Sequence, residues 1–412
     1  MWKTHPTRRG RRFLALSAAV AVLLLSLLLP SAASPVAAQR AAAGGPCSWW
    51  YGIGDSPTAV DVEFAARHYD VIVLNAWETA TMRRLRQLAP HVTVLVYKDL
   101  ASTRNYPGTV DGGVDARYLP TGVGYQAAHT RNPGWFAVDH AGRRVQWLGY
   151  PQHWQMAVWD TGYQQTWTQA VTSEVVREGW DGVLADNDFR TLRWYSDAVL
   201  AGTVDRAATD RLLRQGLGSM LDAAGASLAA AGKVLVPNIS ESHLEPGRWG
   251  RHARHGGGMD ENFVMRTGEG LLTFQNTVWS EMREQAAVGQ SWLLLMTHAG
   301  GPRDQAARVG FASAALLAGP RTCWGTSFTR DYRDPNWSRY QDLDLGAARA
   351  PAVREPSGAW TRRFAGGWVG VNPGAAAVTV QVPQGLVDVD GRSSGGRLSI
   401  GGHDARVLVQ RR

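Results

Sequence analysis

Carboxylate and amide side chains follow several short apolar runs in this 412-residue chain. The most distinctive run lies at 181–188, where Val183-Leu184-Ala185 is followed by Asp186-Asn187-Asp188. A short apolar run is typical of a buried parallel strand, and α/β barrels place their chemistry at the carboxyl ends of such strands. We therefore expect Asp186 at the mouth of a barrel, in the centre of a candidate site.

Polar residues after the other strand-like runs are expected to meet Asp186, because a barrel gathers its strand ends around one pocket. A single carboxylate at such a position is often only a helix N-cap, so the argument rests on the whole set. Besides Asp186, the set includes Asn75, Glu78, Lys98, Asp99, Asp188, Asn238, Glu241, Asp260, Glu261 and His298.

A pair of carboxyl groups can cleave a glycosidic bond when one protonates the leaving oxygen and the other attacks the sugar or activates water. Asp186 is the candidate nucleophile or base, and Glu261 is the candidate acid. Asp188 and Asp260 are second choices for these two roles. Since neighbouring strand residues point to opposite faces, Asp186 and Asp188 are expected to share the pocket face. By the same rule, only one of Asp260 and Glu261 should point inward.

Aromatic residues are dense around the run at 181–188 and before it. Flat aromatic rings pack against the apolar faces of sugars, while side chains such as His form hydrogen bonds with the hydroxyl groups. Trp147, Trp154 and Trp159 are therefore predicted to line a sugar-binding pocket, with His153 beside them. The expected partner is a carbohydrate substrate.

Two other functions stay open from the residues alone. Asp186 and Asp188 could together hold a hard cation, which would make the protein a metal-dependent hydrolase. The run lacks the glycine and distal Glu of an EF-hand loop, and the chain has no His-Glu-x-x-His motif and no Gly-x-Ser-x-Gly elbow. Neither a resident metal nor another cofactor is therefore predicted. A barrel that binds carbohydrate without cleaving it is the second alternative.

The elements that must position these residues alternate along the chain. Eight strand-like runs, interleaved with helix-like segments, predict a (β/α)₈ TIM barrel over 47–345. No Gly-x-Gly-x-x-Gly motif follows the first run, which argues against a dinucleotide-binding fold. The aromatic and glycine-rich stretch 101–160 shows no clear period and is predicted to be a functional insertion. Short runs separated by Gly, Pro and Asp predict a small antiparallel β-sandwich domain over 346–412.

Cys47 and Cys323 are the only two cysteines. Cys47 precedes the first strand-like run, and Cys323 lies in the eighth. Because the first and last strands of a closed barrel are neighbours, a disulfide between these cysteines would join the two strands at which the barrel closes. Two unpaired buried thiols are the alternative.

The first 38 residues have the features of an export signal. Basic residues end at Arg12, an apolar run extends from Phe13 to Leu29, and Val36-Ala37-Ala38 fits a small-x-small cleavage site. A signal peptide at 1–38 and a linker at 39–46 are therefore predicted, which places the folded protein outside the cell. If the segment were left uncleaved it would act as a membrane anchor; otherwise no stable membrane association is expected.

The positive charge of the chain comes largely from this segment. The net charge is +8, but residues 1–38 hold five Lys and Arg and no acidic residue, so the remainder carries +3. No basic run follows residue 40. A nucleic-acid partner is therefore not expected, because it would require a basic stripe on the folded part.

Taken together, these motifs resemble one protein family. The run 181–188, the run 258–263, the opening Trp50-Tyr51-Gly52 and the terminal β-domain are similar to hypothetical glycoside-hydrolase-like barrel proteins, in particular their family 15. The resemblance covers roughly 47–345. It implies a (β/α)₈ fold and the hydrolysis of glycosidic bonds.

The resemblance extends in pattern to amylase-type and α-galactosidase-type barrels, and it implies roles for individual residues. In those barrels an Asp after the fourth strand is the nucleophile, which implies this role for Asp186. Amylase-type barrels take the acid/base Glu from the fifth strand, but Glu241 does not align cleanly with that pattern. α-Galactosidase-type barrels take an Asp from the sixth strand, where Asp260 and Glu261 lie. The choice between these two residues stays open.

Overall fold

The structure is a computed structural model that describes residues 44–301, 304–328 and 332–411. The predicted signal peptide lies outside these ranges, as does most of the predicted linker. Every helix within the described ranges is too short or too polar to cross a lipid bilayer.

Eight parallel strands form a closed barrel with helices interleaved between them, which confirms the predicted fold class. Each strand pairs with the one before it, and the last pairs with the first, so the barrel sheet has no free edge. The strands are β1 Cys47–Gly52, β2 Val71–Leu74, β3 Thr93–Asp99, β4 Gly182–Asp188, β5 Val234–Ile239, β6 Gly257–Asp260, β7 Trp292–His298 and β8 Thr322–Ser327. The helices are α1 Ala59–His68, α2 Thr79–Leu88, α3 Tyr125–Arg131, α4 Thr161–Glu178, α5 Arg206–Ala230, α6 Arg248–His252, α7 Val278–Val288 and α8 Gln305–Leu316.

The apolar residues of β4 alternate between two cores. Leu184 packs inside the barrel with Tyr97 of β3, whereas Val183 and Ala185 pack in the layer beneath the helices. Both faces of the strand are therefore buried, which explains the continuous apolar run in the sequence. The same alternation directs Asp186 to the interior side at the carboxyl end of β4.

The connection from α4 to β4 is short and fixed by local contacts. The side chain of Asp160 caps the start of α4 by accepting a hydrogen bond from the Tyr163 backbone N–H. The helix ends at Gly179, whose φ of 87° lies in the left-handed region that glycine adopts without a Cβ clash. Asp181 then accepts hydrogen bonds from the Val94 N–H at 2.8 Å and from Arg86 at 2.9 Å. These contacts hold β4 against β3 at the amino end of the barrel.

A disulfide joins Cys47 to Cys323, which confirms the predicted pairing. The two residues are register partners of β1 and β8, with their Cα atoms 4.2 Å apart. The bond therefore lies where the first and last strands meet, at the amino end of the barrel.

The insertion after β3 contains short antiparallel pairs and helix α3. Ser102–Arg104 pairs with His153–Gln155, and Val110–Asp111 pairs with Val114–Asp115. Because the first of these pairs begins three residues after β3 ends, the insertion is held beside the carboxyl ends of the barrel strands.

The region after the barrel is antiparallel, as the sequence predicts. Apolar side chains that include Trp368, Val380, Ile400 and Leu408 form its own core cluster. Arg308 of α8 donates a 2.7 Å hydrogen bond to Asp404, which ties this region to the barrel. One sheet has five strands in the order Val353–Arg354, Trp360–Arg363, Gly367–Asn372, Asp404–Gln410 and Leu386–Val387, and a second sheet pairs Val378–Gln381 with Arg397–Ile400.

Candidate active site

A cavity of about 850 Å³ opens at the carboxyl ends of the barrel strands. Tyr97 of β3, Asp186 of β4 and Asn238 of β5 line one side of it. Glu261, which follows β6, and His298 at the end of β7 line another part. The cavity thus occupies the position at which barrels of this kind carry their active sites.

One amide nitrogen connects the two candidate carboxyl groups. Asn238 Nδ2 donates to Asp186 Oδ1 at 3.0 Å and to Glu261 Oε2 at 2.7 Å. Because both oxygens contact the same nitrogen, they cannot lie more than about 5.7 Å apart. The structure therefore brings Asp186 and Glu261 together, although they are far apart in the sequence.

Asp186 is held by several donors in a partly buried position. Tyr97 Oη donates to Asp186 Oδ2 at 2.7 Å, and the Asn187 backbone N–H donates to Oδ1 at 2.8 Å. Removal from water and, next, the charge of Glu261 raise the pKa of Asp186 to about 6, against the opposing effect of the Tyr97 and Asn238 hydrogen bonds.

Of the two acidic residues around the end of β6, Glu261 lines the cavity. Its Oε1 accepts a 2.6 Å hydrogen bond from Tyr332 Oη. Asp260 lies outside the cavity and accepts a 3.0 Å hydrogen bond from the Asn262 N–H, and burial raises the pKa of Asp260 to about 7. The alternation of strand residues therefore predicts correctly that only one of the pair faces inward.

Asp188 does not share the cavity with Asp186, so the prediction of a common face is wrong. Asn187 has a φ of 68°, and the pairing of β4 with β5 shifts its register between Ala185 and Asp188. This irregularity breaks the alternation and turns Asp188 away. Arg248 Nη2 and His252 Nδ1 contact the two oxygens of Asp188 at 2.7 and 2.6 Å.

The contacts of Asp188 also argue against a metal ion that Asp186 and Asp188 would bind together. Burial opposes ionisation, yet Arg248 and His252 hold the pKa of Asp188 below its usual range. Both of its oxygens are occupied, so it cannot join Asp186 in holding one cation. Within the described ranges, no group of three or more His, Cys, Asp or Glu side chains is arranged for a metal ion.

A second layer of charge lies behind Tyr97. Arg104, from the insertion, lines the cavity and contacts Tyr97 Oη at 3.1 Å and Asp99 Oδ2 at 3.0 Å through its Nη2. Asp99 also accepts hydrogen bonds from the backbone of Ala101 and from Ser102. Arg104 is therefore fixed where it supports the Tyr97 hydroxyl that bonds Asp186. Arg104 could not be predicted as a site residue from the sequence, because the insertion shows no periodic pattern.

Trp147 and His153 line the cavity, but the tryptophan is mostly covered. Its ring stacks on Tyr195 with a centroid distance of 4.0 Å, and only 4% of the residue is exposed. His153 lies near its ring at 6.0 Å. Trp147 therefore supports the cavity wall rather than offering an open face to a sugar.

The other two predicted tryptophans lie outside the cavity. Trp154 Nε1 donates to Asn105 Oδ1 at 2.8 Å, and the ring packs against the helix-layer core. Trp159 packs against the same core, with its backbone close to Gly216 of α5. Both residues serve to attach the insertion to the barrel.

Lys98 and Asn75 also lie outside the cavity. Lys98 is completely buried and forms a 2.8 Å ion pair with Glu174 of α4, on the helix side of β3. Asn75 forms hydrogen bonds with both the carbonyl and the N–H of Gly54, which holds the two loops together. The predicted residues Asn238 and His298 do line the cavity.

Tyrosines are the main cavity residues that the sequence analysis missed. Tyr51 and Tyr97 point inward on β1 and β3, and the alternation of each strand could have identified them. Tyr195 and Tyr332 come from irregular segments, for which no periodic signal exists. Tyr332 is 71 residues from Glu261, the carboxylate that it contacts.

Similarity to known proteins agrees with this architecture. The sequence model of hypothetical glycosyl hydrolase family 15 matches residues 86–368, which is more than half of the chain. No curated protein matches the chain.

Two solved structures have a similar arrangement at low sequence identity. The cycloalternan-degrading enzyme from Trueperella pyogenes is 12% identical, with a TM-score of 0.46 over 90% of this chain and 63% of that enzyme. An Anoxybacillus alpha-amylase is 10% identical, with a TM-score of 0.44 over 85% of this chain and 89% of that one. The chain thus spans less than two thirds of the Trueperella enzyme, and with TM-scores below 0.5 neither likeness bears on activity. The family match is decisive: the chain belongs to hypothetical glycosyl hydrolase family 15.

Proposed function

We propose that this protein is an exported glycoside hydrolase that cleaves O-glycosidic bonds in a polysaccharide or glycoconjugate. The proposal is carried by Asn238, whose amide nitrogen contacts both Asp186 and Glu261 inside the cavity. The upper bound of about 5.7 Å on this one oxygen pair allows the roughly 5–5.5 Å carboxyl separation of retaining enzymes. Inverting enzymes need about 6.5–9.5 Å to admit a water molecule. We therefore expect retention of anomeric configuration.

In this mechanism Asp186 attacks the anomeric carbon while Glu261 gives its proton to the leaving oxygen. The bond from the sugar to the leaving group breaks as the bond to Asp186 forms. Glu261 then takes a proton from water, which attacks the same carbon and frees Asp186. The donors Tyr97 and Asn238 align the attacking carboxylate, and Tyr332 aligns Glu261.

The role of Asp186 as the nucleophile makes kcat/KM depend on pH. Asp186 attacks only when ionised, and its pKa is raised to about 6, chiefly by burial. We expect kcat/KM to fall as the pH decreases through about 6.

The test uses purified protein with a panel of aryl α- and β-glycosides that carry good leaving groups, followed by polysaccharides. We expect wild-type protein to release sugar with its configuration retained, and Asp186→Ala to lose at least about a thousandfold in kcat/KM on every substrate. Glu261→Ala should lose as much on the polysaccharides, whose leaving oxygen needs a proton, and far less on the aryl glycosides, whose leaving groups do not. Glu63→Ala, which changes an exposed carboxylate of α1, is the matched control and should leave the rate unchanged. Glycan binding with no turnover by wild-type protein would instead favour a non-catalytic barrel.

Adding azide to the variants distinguishes the nucleophile from the acid/base residue. In Glu261→Ala the glycosyl–Asp186 intermediate should form and react with azide to give a glycosyl azide of retained configuration. In Asp186→Ala, azide should replace the missing nucleophile and give the inverted product. If the two products were exchanged, the two residues would have the opposite roles.

Export is proposed from the N-terminal segment and is supported by the Cys47–Cys323 disulfide, since disulfides persist in oxidising compartments. Mass spectrometry of protein secreted by the producing cell should find a mature chain that starts near Gln39. Protein that stays in the cytoplasm with an intact segment 1–38 would contradict this part of the proposal.

A further inference from the structure

A second cavity, of about 300 Å³, lies between α5 and α6. None of the described residues lines both this cavity and the candidate active site. Its wall has a strong excess of positive charge, with five guanidinium groups and two carboxylates. The arginines are Arg211, Arg214, Arg248, Arg251 and Arg254, and the carboxylates are Asp222 and Glu245.

Both carboxylates are already engaged by other cations. Glu245 forms ion pairs with Arg190 at 3.0 Å and with Arg251. Asp222 contacts Arg254 and His255. Arg248 has Asp188 as its anion, at 2.7 Å. Neither cavity carboxylate is therefore available to neutralise Arg211 and Arg214.

Arg211, Arg214 and Arg248 all have unused hydrogen-bonding capacity. Arg248 is 1% exposed, and its Nη1 lies 4.0 Å from Glu245, beyond hydrogen-bond distance. Within the part of the chain that the structure describes, Arg214 donates only to the Arg190 carbonyl, at 3.1 Å. Among the described residues, no acceptor or carboxylate contacts Arg211.

Arg248 cannot move away from this cavity without a large cost. Its Nη2 donates to Asp188 at 2.7 Å, and its Nε donates to the Ser240 carbonyl at 3.2 Å. The free Nη1 donor of Arg248 is therefore fixed in place, while Arg211 and Arg214 supply the uncompensated positive charge. A concave wall of one sign concentrates the electrostatic potential and attracts ions of opposite charge.

We propose that this arginine-lined cavity binds a phosphate- or sulfate-type oxyanion. The planar guanidinium group can donate two parallel hydrogen bonds to two oxygens of such an anion, and several guanidinium groups line this cavity. The volume exceeds that of a single inorganic anion and is at the lower limit of small-molecule sites, so a sugar that carries a phosphate or sulfate ester also fits. The site is separate from the proposed catalytic reaction and does not depend on it.

The test measures binding rather than catalysis. Inorganic phosphate is titrated into purified full-length protein by calorimetry, with sodium chloride adjusted to hold the ionic strength constant. Arg211→Gln and Arg214→Gln each remove one charged donor and should weaken phosphate binding about tenfold or more. Arg84→Gln, an exposed change on α2, is the matched control and should bind phosphate as wild type does. Arg248 is left unchanged because its loss would leave Asp188 buried without its cation.

A second titration distinguishes the source of the anion. Glucose 6-phosphate that binds at least tenfold more tightly than inorganic phosphate, with glucose itself not binding, identifies a phosphorylated glycan. Equal affinities identify the free anion. Absence of saturable phosphate binding, or wild-type affinity in the Arg211→Gln/Arg214→Gln double variant with a native circular dichroism spectrum, would overturn the proposal. A failure of the glycosidase assays leaves all these results unaffected.

Discussion

Replacing Asp186 by Asn should make the protein more stable at neutral pH. Asn has nearly the same shape as Asp but carries no charge. Its carbonyl oxygen can accept the hydrogen bonds from Asn238 and the Asn187 N–H, while its amide can donate to Tyr97 Oη. The substitution therefore removes the cost of ionising a group that is mostly withdrawn from water and lies beside a second carboxylate.

The size of this gain in unfolding free energy follows from the titration of Asp186. Its ordinary pKa of 3.8 applies to the unfolded chain, and burial followed by the charge of Glu261 raises the pKa to about 6 in the folded protein. A tenfold change in an equilibrium constant is about 1.4 kcal/mol, so the destabilisation reaches at most about 3 kcal/mol. It is absent below pH 3.8, where both states are protonated, and grows as the pH rises to about 6. Above that pH it stays constant.

The assay is urea unfolding of wild-type protein and Asp186→Asn between pH 4 and pH 8. The difference in unfolding free energy should rise from near zero at pH 4 towards about 3 kcal/mol at pH 7. A difference that is zero at pH 7, or that does not vary with pH, would refute the reasoning.

Asp188→Asn is the matched control two residues away. The Arg248 cation, with His252, lowers the pKa of Asp188 despite its burial. Here the charge is stabilising, and the substitution leaves buried Arg248 without its anion. We therefore expect a loss of about 3–5 kcal/mol, opposite in sign to the effect at Asp186.

Three other variants test the remaining contacts. Tyr97→Phe removes a hydrogen bond that lowers the pKa of Asp186, so the acidic limb of kcat/KM should move to higher pH by about half to one unit; an unmoved limb would contradict the assigned contact. Asn238→Ala removes the donor shared by both carboxylates and should lower kcat by about a hundredfold, measured on the best substrate of the panel; unchanged kcat would separate Asn238 from catalysis. The Cys47→Ala/Cys323→Ala double variant should lose about 2–5 kcal/mol in urea unfolding, and a smaller loss would mean that strand pairing alone holds the barrel closed.

The barrel could be predicted from the sequence because its strands are buried on both faces. Such strands appear as uninterrupted apolar runs, and Gly179 indicates where a helix must end. The alternation of β4 also placed Asp186 correctly, one step beyond Ala185 on the side of Leu184. Applied to β3, the same alternation predicts that Lys98 points away from the barrel interior, because its neighbour Tyr97 points inward.

The sequence could not reveal the irregularity at Asn187. Asn tolerates a positive φ better than most residues, but nothing in its neighbours requires that conformation. The partners of Asp188 are also remote, since Arg248 lies 60 residues later in the chain. Trp154 and Trp159 show a related limit, because residue type alone does not distinguish a sugar-facing ring from one that packs against the core.

The Cys47–Cys323 bond makes the barrel a covalent ring, which one pair of sulfur atoms closes across a sequence separation of 276. Any single peptide cleavage within the ring leaves one connected molecule, because both fragments stay attached through the disulfide. The two antiparallel sheets of the C-terminal region lie after Cys323 and outside the ring, so a single cut in the segment that leads to them can separate them from the barrel. Limited proteolysis should therefore change the band pattern within the barrel only under reducing conditions. The insertion at 101–160 can thus be nicked at its exposed turn 111–114 without dividing the candidate active site into separate molecules.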